Sequence, residues 1–199
     1  MLKNPIPKVN NQLQYRAIGI INGKFTPHDP KRLNRGFLID SKGEKIETVV
    51  LGKALSILKK HIDLKKSHYW VVYPKNKNTQ NLHLQVAGIW DPYQLNDFPN
   101  DSSKTNFSKL LNELDLKDNY FSVRGELVFV NTKKKEIVIK INPAAKLKNS
   151  KNKNFKLVIK GELSLELLHS FVSLDINRDG NALNLINYEV IEKEFSENN

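Results

Sequence analysis

The chain has 199 residues, no cysteine, 32 Lys+Arg against 21 Asp+Glu, and a formal net charge of +11. Without cysteine there is no disulfide framework, thiolate metal site or thiol nucleophile. With 39% hydrophobic residues the chain is too apolar for wholesale disorder, and no run reaches the roughly 18–20 apolar residues of a membrane-spanning helix. The excess positive charge points to an acidic partner, nucleic acid first, with an acidic protein as the alternative. Only five basic residues are arginine, and asparagine numbers 24. Because Lys and Asn share A-rich codons, codon bias competes with a functional basic surface. Met1–Leu13 lacks an apolar core followed by a small-residue cleavage site, so a cytoplasmic protein is expected.

Taken in chain order, the pattern begins with a strand over about 14–25. A loop with Pro27, Pro30, Arg32 and Arg35 follows over 26–35. Residues 36–40 and 45–51 then form a hairpin around Ser41-Lys42-Gly43. Ala54, Leu55, Leu58, His61 and Ile62 follow helical spacing. Strands are expected at 68–73 and 82–90. Residues 91–119 carry Pro92, Pro99, Asp101, Ser102 and Ser103 and have linker composition, with Phe107, Leu110, Leu111 and Leu114 on one face of a short helix capped by Thr105 or Asn106.

The second half repeats this order, with strands at 119–131, 135–142, 154–163, 170–176 and 182–191 and a Ser-capped helical turn at 164–169. Four segments share one punctuation: large or apolar residues lie four and two positions before Gly19, Gly88, Gly125 and Gly161. That is the strand period, and a glycine inside a strand marks a bulge or bend. All four glycines are therefore expected in strands, at comparable positions of two superposable units.

Five strands with a helix between the third and fourth, twice over, resemble the OB-fold. The resemblance implies an all-β chain with two small OB-like β-barrels in tandem: residues 1–92, a helical connection over 93–118, and residues 119–199. SH3-like barrels or one larger sheet domain would give a similar string.

Motifs for chemistry are sparse. Asp175–Asn181 begins like a calcium loop, but its twelfth position is Ile186, which supplies no oxygen ligand. The expected reading is a hairpin with Asp179-Gly180 at two positive-φ positions. The five histidines show no ligand spacing, and phosphate-binding, dinucleotide and serine-hydrolase motifs are absent. No enzyme, cofactor or metal is expected.

Two features remain. Trp70 and Trp90 lie in aromatic-rich segments; Tyr69 and Tyr73 alternate with Trp70, so one set lies toward the surface or an interdomain contact, and the aromatics serve either core or interdomain packing or a base-stacking platform. If Phe121, Val123, Leu127 and Phe129 face inward, Arg124 faces outward. The isoleucines at 137, 139 and 141 likewise send Lys134 and Lys140 outward, and Phe155, Leu157 and Ile159 send Lys156 and Lys160 outward. Glu126, Glu136 and Glu162 dilute this face, and lysines 133–135 and 146–156 lie at its margins. The expected interface is Arg32, Arg35, Arg124, Lys134, Lys140, Lys156, Lys160 and Trp70, binding single-stranded RNA or DNA. A protein–protein adaptor is the second reading. Exposed aromatics beside lysines favour nucleic acid; aromatics in a neutral apolar patch favour a protein partner.

Overall fold

The computed structural model describes residues 4–76, 81–91, 109, 111–114, 116–142 and 154–193. The expected linker helix falls largely outside them, including Thr105, Asn106, Phe107 and Leu110; residues 109 and 111–113 are helical as expected. The lysines at 146–153 also lie outside the described residues.

The first half contains β1 (Arg16–Asp29), β2 (Arg32–Asp40), β3 (Lys45–Val50), α1 (Gly52–His61), β4 (His68–Asn76) and β5 (Leu82–Trp90). Its strands close in the order β1-β2-β3-β5-β4-β1. The second half contains β6 (Tyr120–Asn131), β7 (Glu136–Ile141), β8 (Phe155–Lys160), a single 3-10 turn (Leu165–Leu167), β9 (Phe171–Asp179) and β10 (Ala182–Glu192). These strands close in the same order, β6-β7-β8-β10-β9-β6. In both halves the helical element lies between the third and fourth strands. Five short strands closed in this way leave no free sheet edge. By mutual proximity the chain divides into two compact units: Met1–Pro7, Gly19–Tyr73 and Leu84–Tyr120 form one, and Lys8–Ile18, Pro74–His83 and Phe121–Asn199 the other.

In the first barrel Ile21, Phe25, Leu38, Ile46, Leu58, Trp70, Val72 and Leu84 fill the interior. Alternation and the β1–β4 register put Ile21 and Phe25 of β1 on the same side as Trp70 and Val72 of β4. Helix α1 buries only Ala54 and Leu58 of the five residues on its expected face. The β2–β3 turn is held by Asp40, whose Oδ1 accepts from the backbone N–H groups of Lys42 and Glu44 at 2.9 Å each. Gly43 supplies the φ of 84° that this turn requires.

The expected loop at 26–35 is instead mostly strand. β1 continues to Asp29 and β2 starts at Arg32. Proline suggests a break because it lacks an N–H, but Pro27 sits where the β1–β2 register shifts, between Pro27 and Asp29. A bulge tolerates a residue that cannot donate to the ladder.

In the second barrel Phe121, Val123, Leu127, Ile137, Ile139, Leu157, Ile159, Phe171, Leu174 and Ile176 form the core. The Ser164 hydroxyl caps the 3-10 turn as expected, accepting from the Glu166 N–H. Gly125 lies opposite β7, where a Cβ would strike the Lys140 carbonyl oxygen, so only glycine allows this close strand approach.

Three further expectations need correction. Gly19, Gly88 and Gly125 lie in strands, but Gly161 follows the end of β8 with φ 155°. Gly19 and Gly125 share first strands, whereas Gly88 is in a fifth strand and Gly161 follows a third, so the four positions are not equivalent. The β9–β10 turn is shifted by one residue: Asp179 pairs with Ala182, leaving Gly180-Asn181 as the loop. Only Gly180 has positive φ (58°), as in a turn with glycine first. Finally, Phe129 does not face inward; it is 50% exposed.

Candidate nucleic-acid interface

The reversal of Phe129 comes from a bulge. Leu127 pairs with Ile139, but Phe129 pairs with Val138 and Val130 with Ile137. Val128 is thus the extra residue, and everything beyond it on β6 changes face. Three cross-strand rows then form on the outer surface of β6, β7 and β8. The middle row is Phe129–Val138–Val158, one flank is Glu126–Lys140–Lys156, and the other is Asn131–Glu136–Lys160. Successive same-face residues on a strand are about 6.7 Å apart. Phe129 therefore lies in an apolar strip bracketed by lysine-bearing rows.

The lysines differ in availability. Lys140 Nζ lies 3.3 Å from Glu126 Oε2, and His169 Nδ1 lies 3.2 Å from Glu126 Oε1. Glu126 is nearly buried and already partnered, so Lys140 braces the barrel as much as it offers charge. Lys156 and Lys160 are exposed, and among the described residues neither has a hydrogen-bond or ion-pair partner. Lys134 stands in the exposed β6–β7 turn, where its backbone N–H donates to Asn131 Oδ1 at 3.0 Å. Neighbouring Lys135 is tied to Glu162 at 2.8 Å; that hydrogen bond raises its pKa above the ordinary lysine value.

Beside the flank row lies a cleft of about 380 Å³. Its lining includes Glu136, Val158 and Lys160 from the face, Asp179 and Asn181 around the β9–β10 turn, and Asn76. Among the described residues no cluster of His, Asp or Glu can hold a metal ion.

Two expected interface residues are corrected. Arg124 is 6% exposed and Trp70 is fully buried. Alternation points Arg124 outward, but residues 8–18 of the same unit cover that side of β6. The Arg124 Nη2 donates to the Gln12 carbonyl, and the Arg16 Nη2 donates to the Ser122 hydroxyl at 2.7 Å. Burial lowers the Arg124 pKa, with the charge of Glu189 opposing, and its Nε lacks a partner. Trp70 packs against Phe25 and donates from Nε1 to the Gly23 carbonyl at 2.8 Å. It is core and presents no face to a base. Its neighbours alternate as expected: Tyr69 is half-buried edge-on to Trp90, and Tyr73 is 41% exposed.

Arg32 and Arg35 are both exposed on the first barrel. Arg32 lies 4.0 Å from Asp29. Arg35 shares the outer face of β2 with Phe37 and Ile39, opposite Val49, Glu47 and Lys45 of β3. His28 packs on Phe37 at 4.7 Å and lies 3.5 Å from Glu47. The aromatic of this face is partly covered, Phe37 being half-buried beneath His28. The residue missed by sequence reasoning is Phe129; simple alternation contains no signal for it, because the bulge reverses its phase.

The family comparisons place both halves. Residues 17–97 match the N-terminal OB-fold domain of PatR RNA-binding protein. Residues 123–192 match the C-terminal cyanobacterial OB-fold-like RNA-binding domain. No curated protein matches the chain. A murine DNA-binding protein solved with double-stranded DNA aligns over 90% of this chain and 99% of its own at 10% identity, but its TM-score of 0.22 carries no argument.

Proposed function

We propose that this chain, a tandem OB-fold nucleic-acid-binding protein, holds single-stranded RNA across the β6–β7–β8 face of its second barrel without catalysing a reaction. The exposed Phe129 between lysine-bearing rows carries this reading. OB-folds bind oligonucleotides on the face of their second and third strands and the adjoining loops. Here those strands are β7 and β8. Phe129 offers one base a π-face, Val138 and Val158 extend the apolar floor, and Lys134 and Lys156 meet phosphates. The family descriptions favour RNA over single-stranded DNA. Arg35 and Lys45 on the first barrel are a secondary contact, because Phe37 between them is half-buried and packed against His28. An acidic protein partner is less well served: the exposed aromatic sits among charges, not in a neutral apolar patch.

The test is fluorescence anisotropy with a labelled octauridylate. Each phosphate contact to a single strand contributes a slope of about −0.7 in log affinity against log salt. Two contacts predict about a fivefold loss between 50 and 150 mM salt. Lys156→Glu should lower the slope by about 0.7 or more and weaken binding at every salt concentration. Absence of binding at 50 mM salt, or a slope unmoved by Lys156→Glu, overturns the reading. A DNA octamer of the same sequence measures the preference for RNA.

A further inference from the structure

We infer that the cleft beside Lys160 is a guanine-selective subsite, a step that rests on the RNA reading above and adds sequence preference to it. Glu136 and Lys160 are direct cross-strand partners on β7 and β8, on strands about 4.8 Å apart. Opposite charges so placed ordinarily close on each other, as Lys135 and Glu162 do nearby at 2.8 Å. Glu136 and Lys160 do not: among the described residues neither has an ion-pair or hydrogen-bond partner. Both instead line a cleft of about 380 Å³, with Val158 beside them and Asn181 across the β9–β10 turn.

A carboxylate and an ammonium held open side by side call for a ligand with adjacent donor and acceptor groups. The Glu136 carboxylate beside Lys160 offsets its charge, so a phosphate is disfavoured inside the cleft. A neutral base edge fits better. Guanine presents N1–H and the 2-amino group side by side, which a carboxylate accepts through two oxygens, and O6 next to them, to which lysine donates. Uracil presents one donor between two acceptors and leaves half the carboxylate unpaired. Adenine and cytosine present one amino group each. Val158 supplies an apolar contact for the ring. A site built to hydrogen-bond a group rejects analogues that lack it, because its own polar groups are left unpaired. Single-stranded RNA leaves these base edges open to reading.

The experiment compares labelled octauridylate with octamers carrying one central guanosine, adenosine, cytidine or inosine, for the intact chain and for Glu136→Gln. One guanosine should raise affinity by about tenfold or more over octauridylate. Inosine, which lacks the 2-amino group, should lose most of that gain. Glu136→Gln replaces one accepting oxygen with a donor and removes a negative charge from the binding face, so it should raise the affinity of every octamer alike while abolishing the guanosine-to-uridine affinity ratio. Equal affinity for the guanosine and uridine octamers overturns this inference and leaves the RNA reading standing. A guanosine preference retained in Glu136→Gln also overturns it. Failure of every octamer to bind at 50 mM salt overturns both.

Discussion

Trp70→Ala is expected to destabilise the protein by about 3–5 kcal/mol, the range for removing a large aromatic from a core. Trp70 is fully buried against Phe25, and its indole N–H satisfies the Gly23 carbonyl. Truncation leaves both a cavity and an unpaired carbonyl in the same place. For a chain of this length each kcal/mol lowers Tm by about 2–4 °C, so thermal denaturation should show a loss of roughly 6–20 °C. Trp70→Phe, which keeps most of the volume but loses the donor, should fall between the two. RNA affinity measured well below the variant's Tm should match that of the parent. A Tm within 2 °C of the parent, with affinity lost instead, would return Trp70 to the binding surface.

Phe129→Ala is expected to do the opposite. Base–aromatic stacking is worth about 1–3 kcal/mol per base, so octauridylate affinity should fall by about 5- to 150-fold. Phe129 is half exposed, so stability should change by no more than about 0.5 kcal/mol. Because stacking is uncharged, the salt slope should stay the same, whereas Lys156→Glu lowers it. Phe129→Trp should retain or improve binding. Should Phe129→Ala leave affinity within twofold, the apolar strip is not the platform. The pair Trp70 and Phe129 therefore tests the assignment in both directions, one aromatic moving stability alone and the other affinity alone.

These two aromatics also show where alternation is a safe guide. On β4, Trp70 and Val72 point inward while Tyr69 and Tyr73 point outward or to the side, as period two requires. On β6 the same rule holds through Leu127 and fails at Phe129, because Val128 is inserted without a partner. Nothing in the local residue types marks the insertion. It is defined by the register that β7 imposes, and β7 pairs through its own apolar alternation of Ile137, Ile139 and Ile141.

The element order, the two five-stranded barrels, the Ser164 cap and the Ser41–Gly43 turn were legible in the sequence itself. Each depends on short-range chemistry: side-chain period, a hydroxyl near a free N–H, or a glycine where φ is positive. The basic composition and the availability of Lys156 and Lys160 on one face belong to this group too, because no bulge intervenes on β7 or β8. Tertiary structure alone decided the rest. Arg124 obeys alternation but is buried because residues 8–18, more than a hundred positions earlier, cover its side of the strand. Lys140 is drawn into an ion pair by Glu126, fourteen residues away and opposite it only in the folded register. Phe129 is turned outward by a pairing slip, and Glu136 and Lys160 are set beside one cleft only when β9 and β10 close the barrel. Period and composition constrain which side chains can share a face; which faces remain open to a ligand depends on what the distant parts of the chain cover.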